Sequence, residues 1–187
     1  MATASTFRRP TNDTTLIGTS TWTAGGTTAR YDKVNEAVAE DTSYIALQSS
    51  NVRVVFGLSS FSVPANSTIT LVRIFMRIRK TGGTQSADLR SVIRVGTTNH
   101  VATATINPAT AWYTTYQDHA INPGSGATWS VDDINGNSTA PLTGFGLKSS
   151  DYAPQPECSQ MYIQVEWDYA AGGAGKKSHV LRRSMCA

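Results

Sequence analysis

Residues 69–80 read ITLVRIFMRIRK, and this stretch decides the fold class. Apolar side chains recur at every second position, at Val72, Ile74, Met76 and Ile78. The positions between them are mostly basic, with Arg73, Phe75, Arg77 and Arg79. Successive side chains of a strand point to opposite faces, so this period of two predicts a strand with one buried face and one polar face.

The same alternation recurs along the chain, and turn-forming residues separate its segments. It predicts strands at residues 51–58, 88–95, 111–118, 143–149 and 160–169, with shorter ones at 15–18, 33–38, 43–47 and 101–106. One helical turn is predicted at residues 129–135, within stretches rich in Gly, Pro, Asn and Ser. Many short strands without βαβ alternation predict an all-β fold, a single antiparallel β-sandwich of jelly-roll type.

Composition supports β structure in one domain. The chain has 187 residues, which is enough for one core without disulfides or metal. Threonine, which is β-branched and favours strands, occurs 25 times, and charged residues make up only 16%.

The two ends of the chain differ from the middle in composition. We predict an N-terminal arm at residues 1–14, a sandwich at residues 15–169 and a basic tail at residues 170–187. The tail begins with AAGGAG, which is typical of a flexible hinge, and carries Lys176, Lys177, Arg182 and Arg183. Residues 1–169 hold 12 basic and 13 acidic side chains, so the net charge of +3 belongs to the tail. Each end is either an arm that orders on a neighbouring subunit or a disordered terminus.

No segment matches a known catalytic, cofactor-binding or metal-binding motif, so we predict a protein that is not an enzyme and needs no cofactor. The histidines, His100, His119 and His179, stand in unrelated contexts, and the two cysteines, Cys158 and Cys186, lack zinc-ligand spacing. Whether those cysteines form a disulfide is left open. The sequence shows neither a hydrophobic leader nor a long apolar run, which predicts synthesis in a cytoplasm and no membrane insertion.

One pair of carboxylates meets the spacing used in glycoside hydrolysis. Glu166 and Asp168 are two residues apart on the polar face of a predicted strand, about 6–7 Å from each other. We favour the alternative that they form cross-strand ion pairs with the arginine-bearing strands.

Six arginines project from the polar faces of predicted strands. They are Arg53, Arg73, Arg77, Arg79, Arg90 and Arg94. If their strands share one sheet, its outer face is basic and suits a subunit contact or an acidic partner. The alternative is a solvated face that Glu166, Asp168 and Asp88 neutralise. Nucleic acid is disfavoured, because residues 1–169 are slightly acidic.

Several aromatic residues are candidates for stacking on the faces of sugar rings. We interpret Trp167 and Trp112 as core residues, whereas Trp22, Tyr113 and Trp129 are candidate glycan-stacking residues.

The order of several short segments resembles a family of phage-encoded, virion-associated β-sandwich proteins of jelly-roll or lectin-like appearance. The segments are RRP at 8–10, WTAGG at 22–26, YDKVNE at 31–36, DTSYI at 41–45, FGL at 56–58, ITLVRIFMRIRK at 69–80, DLRSVIRVG at 88–96, NPATAW at 107–112, WSVDDIN at 129–135, FGLKSSD at 145–151 and QMYIQVEW at 160–167. The resemblance covers residues 7–169 and implies a minor structural component: a capsid decoration, neck or tail-associated protein. It implies no catalytic residues.

Two functions therefore follow. The first is a non-enzymatic component of a tailed-phage virion that assembles with itself and with other virion proteins through sheet faces and terminal arms. The second is a carbohydrate-binding adhesion domain that attaches the virion to a host-surface glycan.

Overall fold

The structure is a computed structural model that describes residues 1–17, 22–24, 29–47, 51–83, 85–150 and 153–169, without the side chains of residues 14–17, 22–24 and 47. Within these residues lie thirteen strands, one 3-10 helix and one α-helix. The strands are β1 (Ala2–Arg8), β2 (Pro10–Ile17), β3 (Trp22–Ala24), β4 (Ile45–Leu47), β5 (Val52–Leu58), β6 (Ser67–Lys80), β7 (Leu89–Val95), β8 (Thr98–Val101), β9 (Tyr113–Asp118), β10 (Ile121–Asn122), β11 (Ala127–Thr128), β12 (Leu142–Ser149) and β13 (Pro156–Tyr169). The helices are the 3-10 helix η1 (Tyr31–Lys33) and α1 (Val131–Asn135).

Two antiparallel sheets contain most of the strands, which confirms the predicted all-β sandwich. The first, called sheet A, has the order β3-β4-β13-β6-β9, with β1 also paired to β13. The second, called sheet B, has the order β2-β5-β12-β7-β8. Strands β10 and β11 form a separate two-stranded ribbon.

The core lies between the inner faces of the two sheets. Sheet A contributes fully buried side chains from β6 and β13, such as Ile74, Met76 and Ile163. Sheet B contributes large side chains such as Phe56 and Phe145 from β5 and β12. Burial of each such side chain stabilises the fold by about 1.5–3 kcal/mol, so alternation on these strands specifies the sandwich.

Helix α1 closes one part of the core. Ser130 caps it through a reciprocal capping box with Asp133, and Gly136 ends it with a positive φ of 86°. Ile134 on this helix is buried. The side-chain amide of Asn135 accepts a hydrogen bond from the backbone N–H of Val63 and donates one to the carbonyl of Val63. The helical turn predicted at residues 129–135 is thereby confirmed.

The predicted N-terminal arm differs from the structure, because residues 2–8 form β1 and residues 10–17 form β2. β13 is 14 residues long and pairs with β6 along one edge. Along its other edge, β4 pairs only with Glu157 and Cys158. β1 pairs with residues 163–169 of β13 and so satisfies backbone groups that would otherwise form an open edge. Its alternation of small and polar side chains carries almost no hydrophobic signal.

The strand predicted at residues 33–38 is wrong. The chain instead forms η1 and continues without a strand to β4. Val34 is fully buried, whereas Val38 is 80% exposed, so the two valines do not share one buried strand face.

The tail at residues 170–187 lies outside the described residues. Among those that the structure describes, no helix has the length and hydropathy needed to cross a membrane.

Candidate functional site

Four aromatic rings form a line across the outer face of sheet A. In order they belong to Phe7 on β1, Tyr162 on β13, Phe75 on β6 and Tyr116 on β9, and we call them the aromatic row. The centroids of neighbouring rings lie 5.7, 4.7 and 5.7 Å apart. This line spans four strands, so its length follows from the spacing of the strands.

The rings at the two ends of the aromatic row are open to solvent. Phe7 is 48% exposed and Tyr116 is 49% exposed, whereas Phe75 and Tyr162 are half-buried. Phe75 and Tyr162 stack on each other with their planes 17° apart, while Phe7 meets Tyr162 edge-on at 74°. The two central rings therefore support the row, and the two outer rings offer most of its free surface.

Arg73 fixes the Tyr116 end of the row. Its guanidinium carbon lies 3.8 Å from the centroid of the Tyr116 ring, a cation–π contact. Asp118 accepts two hydrogen bonds from the same guanidinium, from Nε at 2.5 Å and from Nη2 at 2.9 Å. Hydrogen bonding from Arg73 lowers the pKa of Asp118, which keeps this carboxylate charged.

Two further arginines on the outer face of sheet A are also paired with carboxylates. Arg77 donates two hydrogen bonds of 2.7 Å to Asp41, and the hydrogen bond from Arg77 lowers the pKa of Asp41. Arg79 donates to Glu157, whose side chain is only 4% exposed. The positive charges on this face are therefore neutralised by fixed partners.

A second aromatic contact lies further along the same face. The guanidinium carbon of Arg79 is 4.6 Å from the ring centroid of Trp112 and 5.7 Å from that of Tyr44. These two rings contact each other at 5.9 Å. Trp112 is half-exposed here, so its predicted place in the core is wrong, whereas Trp167 is buried as predicted.

A concave region lies at each end of the aromatic row. The one at the Phe7 end has a volume of about 560 Å³ and is lined by Ser5, Arg9, Gln160 and Tyr162 among others. The one at the Tyr116 end has a volume of about 660 Å³ and is lined by Tyr116, His119 and residues 100–106 among others. A ligand lying along the row thus finds a depression at either end.

The six arginines predicted to form one basic face are divided between the two sheets. Arg73, Arg77 and Arg79 lie on β6 in sheet A, whereas Arg53 lies on β5 and Arg90 and Arg94 on β7 in sheet B. The single basic face is therefore wrong. The consecutive strands β5, β6 and β7 lie in sheets B, A and B, and the alternation of side chains within a strand carries no information about which sheet holds it.

The carboxylates that neutralise the arginines of sheet A are not the predicted Glu166 and Asp168 but Asp118, Asp41 and Glu157. Among the described residues, Glu166 and Asp168 form no ion pair. Glu166 instead accepts a hydrogen bond of 2.5 Å from Gln164, and Asp168 accepts one of 2.7 Å from Thr3. Glu166 acts on Arg73 only through space.

The aromatic residues predicted to stack on sugars do not form the aromatic row. Trp129 is only 5% exposed, and its indole N–H donates to the carbonyl of His119 at 2.8 Å, so its proposed role is wrong. Tyr113 packs partly buried against the core, and burial raises its pKa. Trp22 begins β3, and its side chain lies outside the described residues.

The aromatic row was not predicted, although part of its signal is present in the sequence. Phe75 and Tyr162 stand at polar-phase positions of their strands, where an apolar ring has no core to enter. Such a ring either covers a neighbouring side chain or contacts a ligand. The register that places Tyr162 opposite Phe75, and Phe75 opposite Tyr116, is a property of the sheet and not of any one strand.

Histidine and metal chemistry give no second site in the part of the chain that is described. His119 is half-buried, and its Nε2 lies 2.9 Å from Oγ of Ser91. Ser91 is fully buried and closed to a substrate. Burial lowers the pKa of His119 to about 4, so its ring is neutral. Within the described ranges, no group of three or more His, Cys, Asp or Glu side chains is placed so that it could hold a metal ion.

No family model matches this chain, and no curated protein matches it either. Several solved structures are similar in fold. The C-terminal CBM6 of LamC, a marine laminarinase from Zobellia galactanivorans, has 9% identity and a TM-score of 0.45, and the match covers 87% of this chain and 98% of that one. The CBM22-1 xylan-binding domain of Paenibacillus barcinonensis Xyn10C has 16% identity and a TM-score of 0.46, with 91% and 100% covered.

A third similar structure is the carbohydrate-binding module CBM6cm-2 of Cellvibrio mixtus lichenase 5A, described in complex with cellotriose. Its identity is 12% and its TM-score 0.40, and the match covers 86% of this chain and 95% of that one. All three neighbours are carbohydrate-binding modules, and their likeness is too distant to transfer a ligand or a residue to this chain.

Proposed function

We propose that this domain binds a neutral carbohydrate chain along the aromatic row without catalysing a reaction. The observation that carries the proposal is the line of four rings across an otherwise polar sheet face. The C–H groups of a sugar ring pack on aromatic rings, while its hydroxyls need hydrogen-bonding groups close by. The row and its polar border supply both.

The polar border of the row is held in fixed positions. Arg73 and Arg77 lie on either side of Phe75 on β6, and each is clamped by two hydrogen bonds to a carboxylate. Gln160 and Gln164 flank Tyr162 on β13, where both are buried and hydrogen-bonded within the domain and so hold this part of the face in place. Polar groups that are already oriented lose little freedom when they bind a ligand, which favours specific recognition.

Charge balance on this face favours a neutral ligand. Arg73, Arg77 and Arg79 are paired with Asp118, Asp41 and Glu157, and two more carboxylates, Glu166 and Asp168, lie on the same face. A phosphate-bearing polymer needs free cations whose counterions it can displace. Along the row it would meet three paired cations and additional negative charge, and at the Phe7 end it would meet Arg9, which donates to the carbonyl of Glu36.

The test is a glycan array followed by calorimetry with the best-bound neutral oligosaccharide. Phe7→Ala and Tyr116→Ala remove the two exposed rings and should each weaken binding by about tenfold, because stacked rings supply most of the contact area. Tyr169→Ala is the matched control, because this ring is 40% exposed but lies outside the row. Full binding by both row variants, or an equal loss in the control, would contradict the proposal.

The role in a phage particle implied by the sequence resemblance stays a prediction. Its test is the presence of the protein in purified virions at a fixed copy number. Glycan binding by the aromatic row and assembly into a particle are compatible, since a virion-borne domain of this kind would act in adhesion.

A further inference from the structure

Three cations stand side by side on the outer face of sheet B. Lys148 on β12 is paired in register with Arg53 on β5 and with Arg90 on β7. The residues next to Lys148, which are Leu147 and Ser149, are fully buried on the inner face, so the three cations share the outer one. We call Arg53, Lys148 and Arg90 the basic row.

The cations of the basic row are not paired with any carboxylate that the structure describes, although Asp88 lies two residues before Arg90, where it accepts a hydrogen bond from Ser86. Among the described residues, none of its three side chains forms an ion pair or a hydrogen bond, in contrast to those of Arg73, Arg77 and Arg79 on sheet A. Like charges placed directly opposite each other on neighbouring strands destabilise a sheet. An isolated domain would gain stability by losing this arrangement, so the charges point to a ligand outside the domain.

Arg90 has a buried side-chain donor without an acceptor. The Nε atom of Arg90 is buried without a hydrogen-bond acceptor. A guanidinium N–H that is withdrawn from water without an acceptor costs free energy, and an anion seated over the row would supply the acceptor. The three side chains are half-buried, which leaves part of each open to a ligand.

We propose that the basic row binds the sulfate or carboxylate groups of an acidic polysaccharide. Three cations at the spacing of strands, about 4.8 Å apart, form a line that suits anions repeated along an extended chain. Arginine at both ends of the row can contact planar or tetrahedral anions through paired N–H groups. This site is separate from the aromatic row, because the two occupy the outer faces of different sheets.

Two other polyanions fit this face less well. Proteins that bind single-stranded nucleic acid combine cations with stacking rings, and duplex binding engages more phosphates than three cations can reach. The described positions beside the basic row on its outer face are Val55, Gly146 and Val92, which are buried, and Asp88, with no aromatic ring among them. An acidic protein partner would likewise find no aromatic anchor there.

The test measures binding of dextran sulfate and neutral dextran to the full chain by calorimetry at several salt concentrations. The wild-type protein should bind the sulfated polymer more tightly than neutral dextran, and only the binding of the sulfated polymer should weaken with added salt. The triple variant R53Q/K148Q/R90Q should bind it about tenfold or more weakly, and the slope of log affinity against log salt should fall by about 2–3, one for each cation removed. If the triple variant does not fold, Lys148→Gln alone should still lower the salt slope by about 1.

The matched control is K176Q/K177Q/R182Q, which removes the same charge from the tail. It should keep both the affinity and the salt slope of the wild-type protein. Equal losses in this control would overturn the proposal, because binding would then reflect net charge or the tail. Equally tight binding of duplex DNA or poly-L-glutamate would overturn the assignment to a polysaccharide. Neutral oligosaccharide binding at the aromatic row should be unchanged in both variants.

Discussion

Phe75 and Tyr162 stack face to face across β6 and β13, with 4.7 Å between ring centroids and 17° between planes. The two residues are direct partners in the register of sheet A. Their contact joins the two longest strands of the fold on the face opposite to the core, and it supports the central part of the aromatic row.

This stack should contribute to stability as a pair. Phe75→Leu and Tyr162→Leu each lose the ring contact, and their coupling energy in a double-mutant cycle should be about 0.5–1.5 kcal/mol. Urea unfolding of the wild type, both single variants and the double variant measures it. Additive effects of the two substitutions would show that the rings do not support each other.

Arg73 should not be replaceable by lysine. Arg73→Lys keeps the charge but loses the second hydrogen bond to Asp118 and the flat contact with Tyr116. Because this pair lies at the surface, the expected loss in free energy of unfolding is only about 0.5–1 kcal/mol. Arg9→Lys is the control, since Arg9 donates one hydrogen bond to a backbone carbonyl and stacks on no described ring. An equal loss in both variants would exclude a special role for the Tyr116 contact.

Burial of His119 predicts that stability depends on pH. The folded protein holds the pKa of His119 at about 4, below its ordinary value of 6.5, chiefly because burial disfavours the charged ring, while the adjacent Asp118 opposes this shift. Between these pH values the unfolded chain binds more protons than the folded one. The stabilisation is therefore complete above pH 6.5 and is lost by about pH 4, and it amounts to about 3 kcal/mol.

Urea unfolding at a series of pH values measures this dependence. His119→Gln should flatten the decline between pH 6.5 and 4, because it removes the titrating ring. A decline of unchanged size in that variant would assign the pH dependence to other groups.

Cys158 should be unreactive in the folded protein. Its side chain is fully buried, and burial raises the pKa of its thiol to about 12. The reactive thiolate is almost absent at pH 8. In a Cys186→Ser variant, a thiol reagent should modify no cysteine until denaturant unfolds the chain. Rapid modification without denaturant would show that the core around β13 opens readily.

The sequence predicted those strands whose inner faces meet the core. Alternation in β5, β6, β7 and β13 marks the buried side chains because one face of each strand is apolar. β1 was not predicted, because its inward positions are filled by small or polar residues such as Ala4 and Thr6. Its place in the sheet is determined by the open edge of β13 and not by its own hydrophobicity.

The candidate sites depended on information that single strands do not contain. The arginines of β6 and β7 show the same alternation, yet they lie in different sheets, and only the pairing of strands separates them. Lys148 was not among the predicted interface residues, because its significance comes from Arg53 and Arg90 on either side. A row across a sheet joins residues that are far apart in sequence.

The pairing of Ala2 with Tyr169 bears on how this domain can be attached to anything else. Both ends of the described sandwich leave from one corner of sheet A, and Phe7 lies five residues along β1 from that corner, about 17 Å away. A fusion partner or surface linker joined at either end would therefore tether the domain from the same point. Linkers joined directly before Ala2 or directly after Tyr169 would therefore place the aromatic row at the same distance from the point of attachment.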